Sequence, residues 1–268
     1  MVYKGILGAV AGDIIGSRFE WDNYKAKDFE LFTDSCSFTD DSIMTIAVGM
    51  ALLQCNGNYE DLSDKAIATM QQIGRLYPSS GYGGSFYAWL FGDDPKPYNS
   101  WGNGSAMRVS ACAYFARSFD EAKELSHKVT EVTHNHPEGL KGAEATTIAT
   151  YMALHGSTKD EIKQYILDNY YQIDFTLDDI RDSYQFDESC QGTVPYALQA
   201  FFESKDYEDA IRNAISIGGD SDTIGAITGA VAGAYYGIPE ALKNKIYNYL
   251  TPQLQSIVDI FDAQIKGE

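Results

Sequence analysis

Gly225-Ala-Ile-Thr-Gly-Ala-Val-Ala-Gly233 carries glycine or alanine at nearly every third or fourth position, and Gly5-Ile-Leu-Gly-Ala-Val-Ala-Gly-Asp13 repeats that pattern near the other end of the chain. Such spacing puts small side chains along one helix face, and small residues let two backbones come close. The expectation is a pair of helices crossing in tight contact at the centre of a bundle; the alternative is two Ala/Gly-rich helices that never touch. Elsewhere apolar residues also recur at spacings of three and four, while sustained alternation is scarce, so the fold class predicted is all-α. Helix starts fall at Lys4, after Thr39, near Leu62, around Gly104, at Asp120, near Glu138, at Thr158, near Gln191, at Asp206, after Gly219, at Pro239 and near Pro252. Many carry a Ser, Thr or Asp cap or a proline in the first turn. The stretches Trp21 to Phe38 and Tyr77 to Gly104 are dense in Gly, Asn, Asp and Tyr and read as long loops.

The chain has 268 residues, with 20 Lys or Arg against 38 Asp or Glu, a formal charge of −18. That balance argues against nucleic acid as a partner, because phosphate backbones are held by clustered cations and no basic patch is visible. A hydrophobic content of 44% with 22% charged residues supports a sizeable core. No linker marks a boundary, so residues 1–268 are expected to form a single domain. The cysteines at 36, 55, 112 and 190 stand far apart and read as buried apolar groups in a reducing compartment. The run Gly5 to Gly12 has the look of a short signal core, but Asp13, Arg18 and Glu20 interrupt it. Ile224 to Tyr236 is too short to span a bilayer. No membrane partner and a cytoplasmic location are expected.

Two groups of hard oxygen donors stand at helix starts. Thr39-Asp40-Asp41 precedes the apolar run Ile43 to Leu53, and Gly218-Gly-Asp-Ser-Asp-Thr223 precedes Ile224 to Tyr236. Helix N-termini favour acids, so capping accounts for one or two of them, but not for adjacent or alternating pairs of acids with a threonine at both sites. A divalent cation offsets the mutual repulsion if the two starts converge. Carboxylate and hydroxyl donors without paired His or Cys select Mg²⁺ or Mn²⁺, and six oxygen-bearing residues suffice for one or two ions.

Other residues leave two readings open. Glu20 is either a solvated loop acid or a mobile catalytic carboxylate. Gly102-Asn-Gly-Ser105 is either a turn with a cap or a set of free N–H groups for an anion or diphosphate. His134 and His136 lack a third soft ligand and read as polar contacts to backbone or substrate. Tyr82, Tyr87, Tyr98 and Trp101 are core aromatics or surfaces on which a base stacks.

In this order the blocks Gly8-Ala-Val-Ala-Gly-Asp13 with Glu20, Phe38-Thr-Asp-Asp-Ser42, Gly102-Asn-Gly-Ser-Ala-Met-Arg108, Thr133-His-Asn-His-Pro137 and Gly218-Gly-Asp-Ser-Asp-Thr-Ile-Gly225 resemble the ADP-ribosylglycohydrolase family. That family includes dinitrogenase-reductase-activating glycohydrolase and the ADP-ribosylarginine and ADP-ribosylserine hydrolases. The resemblance spans nearly the whole chain and implies a compact all-α bundle around a binuclear Mg²⁺ or Mn²⁺ site. It makes Thr39, Asp40, Asp41, Asp220, Asp222 and Thr223 the metal ligands, with Ser221 assigned to turn geometry. Glu20 becomes the loop carboxylate beside the metals, sharing catalysis with Asp40 and Asp222. Gly104 and Ser105 lie against the diphosphate, His134 touches the neighbouring ribose, and Trp101 is the aromatic substrate contact.

The activity so implied is hydrolysis of the glycosidic bond between ADP-ribose and a modified protein side chain or small molecule, by a monomer. A non-catalytic ADP-ribose-binding or structural protein of the same fold is the alternative. A metal-dependent phosphohydrolase acting on the diphosphate is a third reading, separated by AMP as product. The arginine, serine or other linkage is not legible in these motifs.

Overall fold

The computed structural model describes residues 2–267. Fourteen α-helices lie among them: α1 (Leu7–Gly16), α2 (Asp40–Cys55), α3 (Leu62–Gly74), α4 (Gly84–Phe91), α5 (Ser110–Phe115), α6 (Phe119–Thr130), α7 (Pro137–Leu154), α8 (Lys159–Asn169), α9 (Leu177–Ile180), α10 (Cys190–Phe202), α11 (Tyr207–Ile215), α12 (Ser221–Tyr236), α13 (Glu240–Tyr247) and α14 (Pro252–Lys266). The fold is all-α. Its only sheet among the described residues is a two-residue antiparallel pair, β1 (Val2–Tyr3) with β2 (Ile238–Pro239).

The two Ala/Gly-rich segments do cross, as α1 and α12. A methyl on Gly12 would overlap the Gly225 carbonyl oxygen, and one on Gly8 would overlap that of Gly229. Gly16 in turn faces Ser221. The helices therefore run antiparallel, and the C-terminal end of α1 lies against the N-terminal end of α12. Every residue of α1 is buried, as is α12 from Ser221 to Ala234. An all-round apolar helix belongs in the interior, and the remaining helices enclose this pair.

Local capping matches the sequence at several starts. Thr39, Ser118, Thr158, Ser189, Asp206 and Thr251 each accept a hydrogen bond from a backbone N–H in the first turn of their helix. Two expectations need correction. The predicted loop Tyr77 to Gly104 contains α4, which buries Phe86, Trp89 and Leu90. Its last carbonyls are satisfied by Gln71 of α3 on Trp89 and by Arg75, the residue after α3, on Leu90, so the stop signal is tertiary. The helix expected at Gly104 is a short 3-10 turn, Asn103–Ser105, and α5 begins only at Ser110. There the Asn103 N–H is taken by the Glu188 carbonyl at 2.7 Å and Gly102 bridges to Ser189, which holds the backbone extended before the turn.

Trp21 to Phe38 stays irregular and is fastened by cations. Lys25 donates to the carbonyls of Arg181 and Tyr184, and Arg212 donates to those of Lys27 and Phe29. All four cysteines are free and buried. No described helix is long and apolar enough to cross a membrane.

Candidate functional site

The crossing of α1 and α12 brings acids from the two ends of the chain together. Asp13 lies in the second half of α1, ahead of the buried Ile14 and Ile15, Glu20 follows the turn after that helix, and Asp220 and Asp222 stand at the start of α12. α2 delivers Thr39, Asp40 and Asp41 to the same place. Glu20, Asp40, Asp41, Asp220, Asp222 and Thr223 all line one cavity of about 710 Å³.

Local capping uses little of these acids: Asp222 Oδ1 accepts the Thr223 N–H at 3.0 Å in the first turn of α12. The side chain of Asp220, at the N-cap of α12, makes no cap hydrogen bond; it accepts instead from Asn103 Nδ2 at 2.6 Å. At α2 the cap is the Thr39 hydroxyl, which accepts from the Asp41 N–H, and neither Asp40 nor Asp41 serves as one. Carboxylate oxygens of Asp13, Asp41 and Asp222 lie within 4.8 Å of one another, and so do those of Glu20, Asp220 and Asp222. The hydroxyl of Thr223 donates to Asp41 Oδ2 at 3.3 Å, while Asp41 Oδ1 is buried without a partner. Among the described residues, no Lys, Arg or His forms an ion pair with any of these acids.

Crowding without cations raises the acids. Burial, helped by neighbouring carboxylates, pushes Asp40 to about 8 and Glu20 to about 7. Asp41 and Asp222 are driven well above the ordinary carboxylate range by burial first and by the adjacent acids second. An orphaned buried oxygen, clustered hard donors and no counter-charge together fit a divalent cation of the Mg²⁺ or Mn²⁺ kind.

Asp13 and Asn103 are the residues that sequence reasoning missed. Asp13 is fully buried and accepts from the N–H and hydroxyl of both Thr39 and Ser42, so an acid of α1 fixes the start of α2. Those four donors lower its carboxyl, but burial outweighs them and leaves it at about 6. Asn103 ties Asp220 to Thr193 of α10. Asp13 stood inside a quoted motif, and two acids at the ends of paired helices were the available signal. Asn103 had none beyond its place between two glycines.

Gly102, Asn103 and Gly104 also line the cavity, with His134, Tyr98, Phe86 and Arg108 and with Trp101, which is half exposed. A Cβ on Gly104 would stand 3.5 Å from His134 Nε2, so this glycine keeps the space beside the imidazole open. Thr39 and Ser105 do not line the cavity. Ser105 is fully buried, and its hydroxyl reaches the Gly102 carbonyl and Cys190 Sγ rather than the open space. On the far rim Trp21 stacks on Phe186 with centroids 5.2 Å apart.

An all-helical scaffold with an acidic, oxygen-donor cavity beside a glycine loop defines the class. The chain belongs to the ADP-ribosylglycohydrolase family, whose model matches residues 2–267. It is similar to ADP-ribosylhydrolase ARH3 of Bos taurus, with 23% identity over 92% of this chain and 89% of that protein. Homo sapiens ARH3 is 24% identical over 81% of this chain and 76% of its own length. ADP-ribosylarginine hydrolase Tri1 of Pseudomonas putida is 30% identical over 51% of this chain and 39% of that protein. Among solved structures, a chain described as an ADP-ribosylglycohydrolase-related protein complex superposes with a TM-score of 0.70 at 22% identity, covering 97% of this chain and 95% of that one.

Proposed function

We infer that this chain is a metal-dependent hydrolase that cuts the glycosidic bond joining ADP-ribose to a protein side chain or small molecule and releases ADP-ribose. One observation carries this: Glu20, Asp40, Asp41, Asp220 and Asp222 share a cavity with the Gly102–Gly104 loop and His134. Thr39, Asp40, Asp41, Asp220, Asp222 and Thr223 would hold one or two Mg²⁺ or Mn²⁺ ions. Such ions supply, when bound, the positive charge that clamps ribose hydroxyls and acidifies water.

The chain's own groups do the remaining work. Asp13 holds Thr39 and the start of α2 in place, and Asn103 holds Asp220. Glu20, close to Asp220 and Asp222 on a loop, is placed to take a proton from water, and the surrounding carboxylates stabilise oxocarbenium-like charge as the bond breaks. Gly102 and Gly104 leave room for a diphosphate, His134 offers a ring nitrogen to an adjacent oxygen, and Trp101 offers a face to the base. Ser105 shapes the loop from behind. The pairing of α1 with α12 supports one catalytic domain over residues 1–268.

The test is a panel of ADP-ribosyl-arginine, ADP-ribosyl-serine and O-acetyl-ADP-ribose substrates, incubated with Mg²⁺, with Mn²⁺ and with chelator, with products separated chromatographically. Free ADP-ribose appearing only with metal is the expected result. AMP would instead make the chain a phosphohydrolase, and binding without product would make it a non-catalytic ADP-ribose module.

A further inference from the structure

Arg108 is fully buried and has no carboxylate in ion-pair contact among the described residues. Burying an unpaired cation is costly, so its few contacts are informative. Its Nε has no partner, its guanidinium carbon lies 5.5 Å from the Phe86 ring centre, and its Nη2 donates to Thr133 Oγ1 at 2.6 Å. Thr133 Oγ1 lies 2.7 Å from His134 Nδ1 and 3.4 Å from the Thr130 carbonyl. The other ring nitrogen, Nε2, faces Gly102 and Gly104 on the cavity wall and has no hydrogen-bond partner among the described residues.

We propose that Arg108 and Thr133 are positioning residues that hold His134 as a neutral imidazole with its single proton on Nε2, presenting one N–H donor to a ligand oxygen beside the Gly102–Gly104 loop. The ligand side of this proposal rests on the function inferred above; the tautomer does not.

A guanidinium only donates, so Nη2 occupies a lone pair of Thr133 Oγ1. The remaining hydroxyl proton goes to Nδ1 at 2.7 Å in preference to the Thr130 carbonyl at 3.4 Å. The competing arrangement has Nδ1–H donating to Thr133 and the hydroxyl turned to Thr130. Charge decides between them. A neutral imidazole has its negative end at the bare nitrogen and its positive end at the N–H. The Arg108 cation reaches Nδ1 through Thr133 Oγ1, so its field favours a bare Nδ1 and a protonated Nε2. Burial, with Arg108 adding to it, also keeps His134 unprotonated, leaving one proton to place. The Tyr98 N–H on the Thr133 carbonyl, 3.1 Å, pins the segment.

Long-range proton–nitrogen NMR on histidine-labelled protein reads the tautomer directly, with His134→Gln identifying the signal. A pyridine-like Nδ1 and a pyrrole-like Nε2 are expected in the wild type. Thr133→Val, which keeps the shape and deletes the hydroxyl, should mix the two tautomers and lower kcat/KM about tenfold, the weight of one hydrogen bond. Thr133→Ser should restore both. A wild-type proton on Nδ1 overturns the proposal, as does an unchanged tautomer in folded Thr133→Val; if that variant does not fold, the wild-type spectrum decides. Adding ADP-ribose should shift the Nε2 signal. A correct tautomer with no such shift supports the relay and counts against the inferred ligand.

Discussion

Gly12 and Gly225 meet backbone to backbone, so closely that a Cβ on Gly225 would stand 2.5 Å from the Gly12 carbonyl oxygen. The partner atoms are main chain and cannot step aside. Gly12→Ala and Gly225→Val are therefore expected to cost at least the about 1–3 kcal/mol usual for overpacking. Turnover should fall with stability, because the same crossing brings Asp13 to Asp222. Thermal melts and an activity assay check this, and a Gly12→Ala protein with wild-type Tm and rate would contradict it.

Removing one crowded acid should separate function from folding. Asp222→Ala and Asp40→Ala are expected to lose at least about 100-fold in turnover. In chelator their Tm should match or exceed that of the wild type, because a like charge has been taken from a buried cluster. Circular dichroism melts run beside product assays give both numbers. Retained turnover in either variant would remove that residue from the ligand set.

The acids also fix the pH response of the metal-free protein. Asp13 at about 6, Glu20 at about 7 and Asp40 at about 8 lie above their ordinary values of 3.8, 4.5 and 3.8. A raised carboxyl binds more protons folded than unfolded, so its contribution is complete below about pH 4 and is lost as pH rises through the folded value. Between pH 5 and 8, in chelator, Tm should fall with rising pH across about that window. Mg²⁺ or Mn²⁺ should raise Tm more at pH 8 than at pH 5. A chelated protein that grows more stable towards pH 8 would reverse the sign.

Asn103 grips Asp220 from outside the acid cluster. Asn103→Ala should weaken Mn²⁺ binding about 10- to 100-fold, the range found when groups that orient metal ligands are removed. Isothermal titration calorimetry measures this, and an unchanged Kd would show that the Asp220 contact is dispensable.

Trp21 is 80% exposed yet stacks on Phe186, one residue beyond Glu20. Trp21→Ala removes a contact worth about 0.5–1.5 kcal/mol. The expected result is a raised KM with little change in Tm, since the ring contributes more to the position of the Glu20 loop than to the core.

What was legible in the sequence was local. The small-residue spacing within α1 and within α12, and the acids at the starts of α2 and α12, each fall in one short stretch of chain and are visible as patterns. α4 was hidden because its end is capped by Gln71 of α3 and by Arg75 just after it, instead of by its own neighbours. The tie from Asn103 to Asp220 spans 117 positions, and no spacing rule reaches that far. Asp13 read as an interruption of an apolar run; only the fold reveals that its four donors, on Thr39 and Ser42, stand at the start of α2.

Because α1 pairs with α12, the cavity joins the first stretch of the chain to one more than two hundred residues later. During synthesis α1 must wait, its glycine face uncovered, until the ribosome has delivered some two hundred further residues. A prematurely halted product carries Asp13, Glu20, Asp40 and Asp41 but nothing to complete them. Competence at this centre thus waits on two helices made far apart in time, so an assembled cavity reports that α1 has found α12.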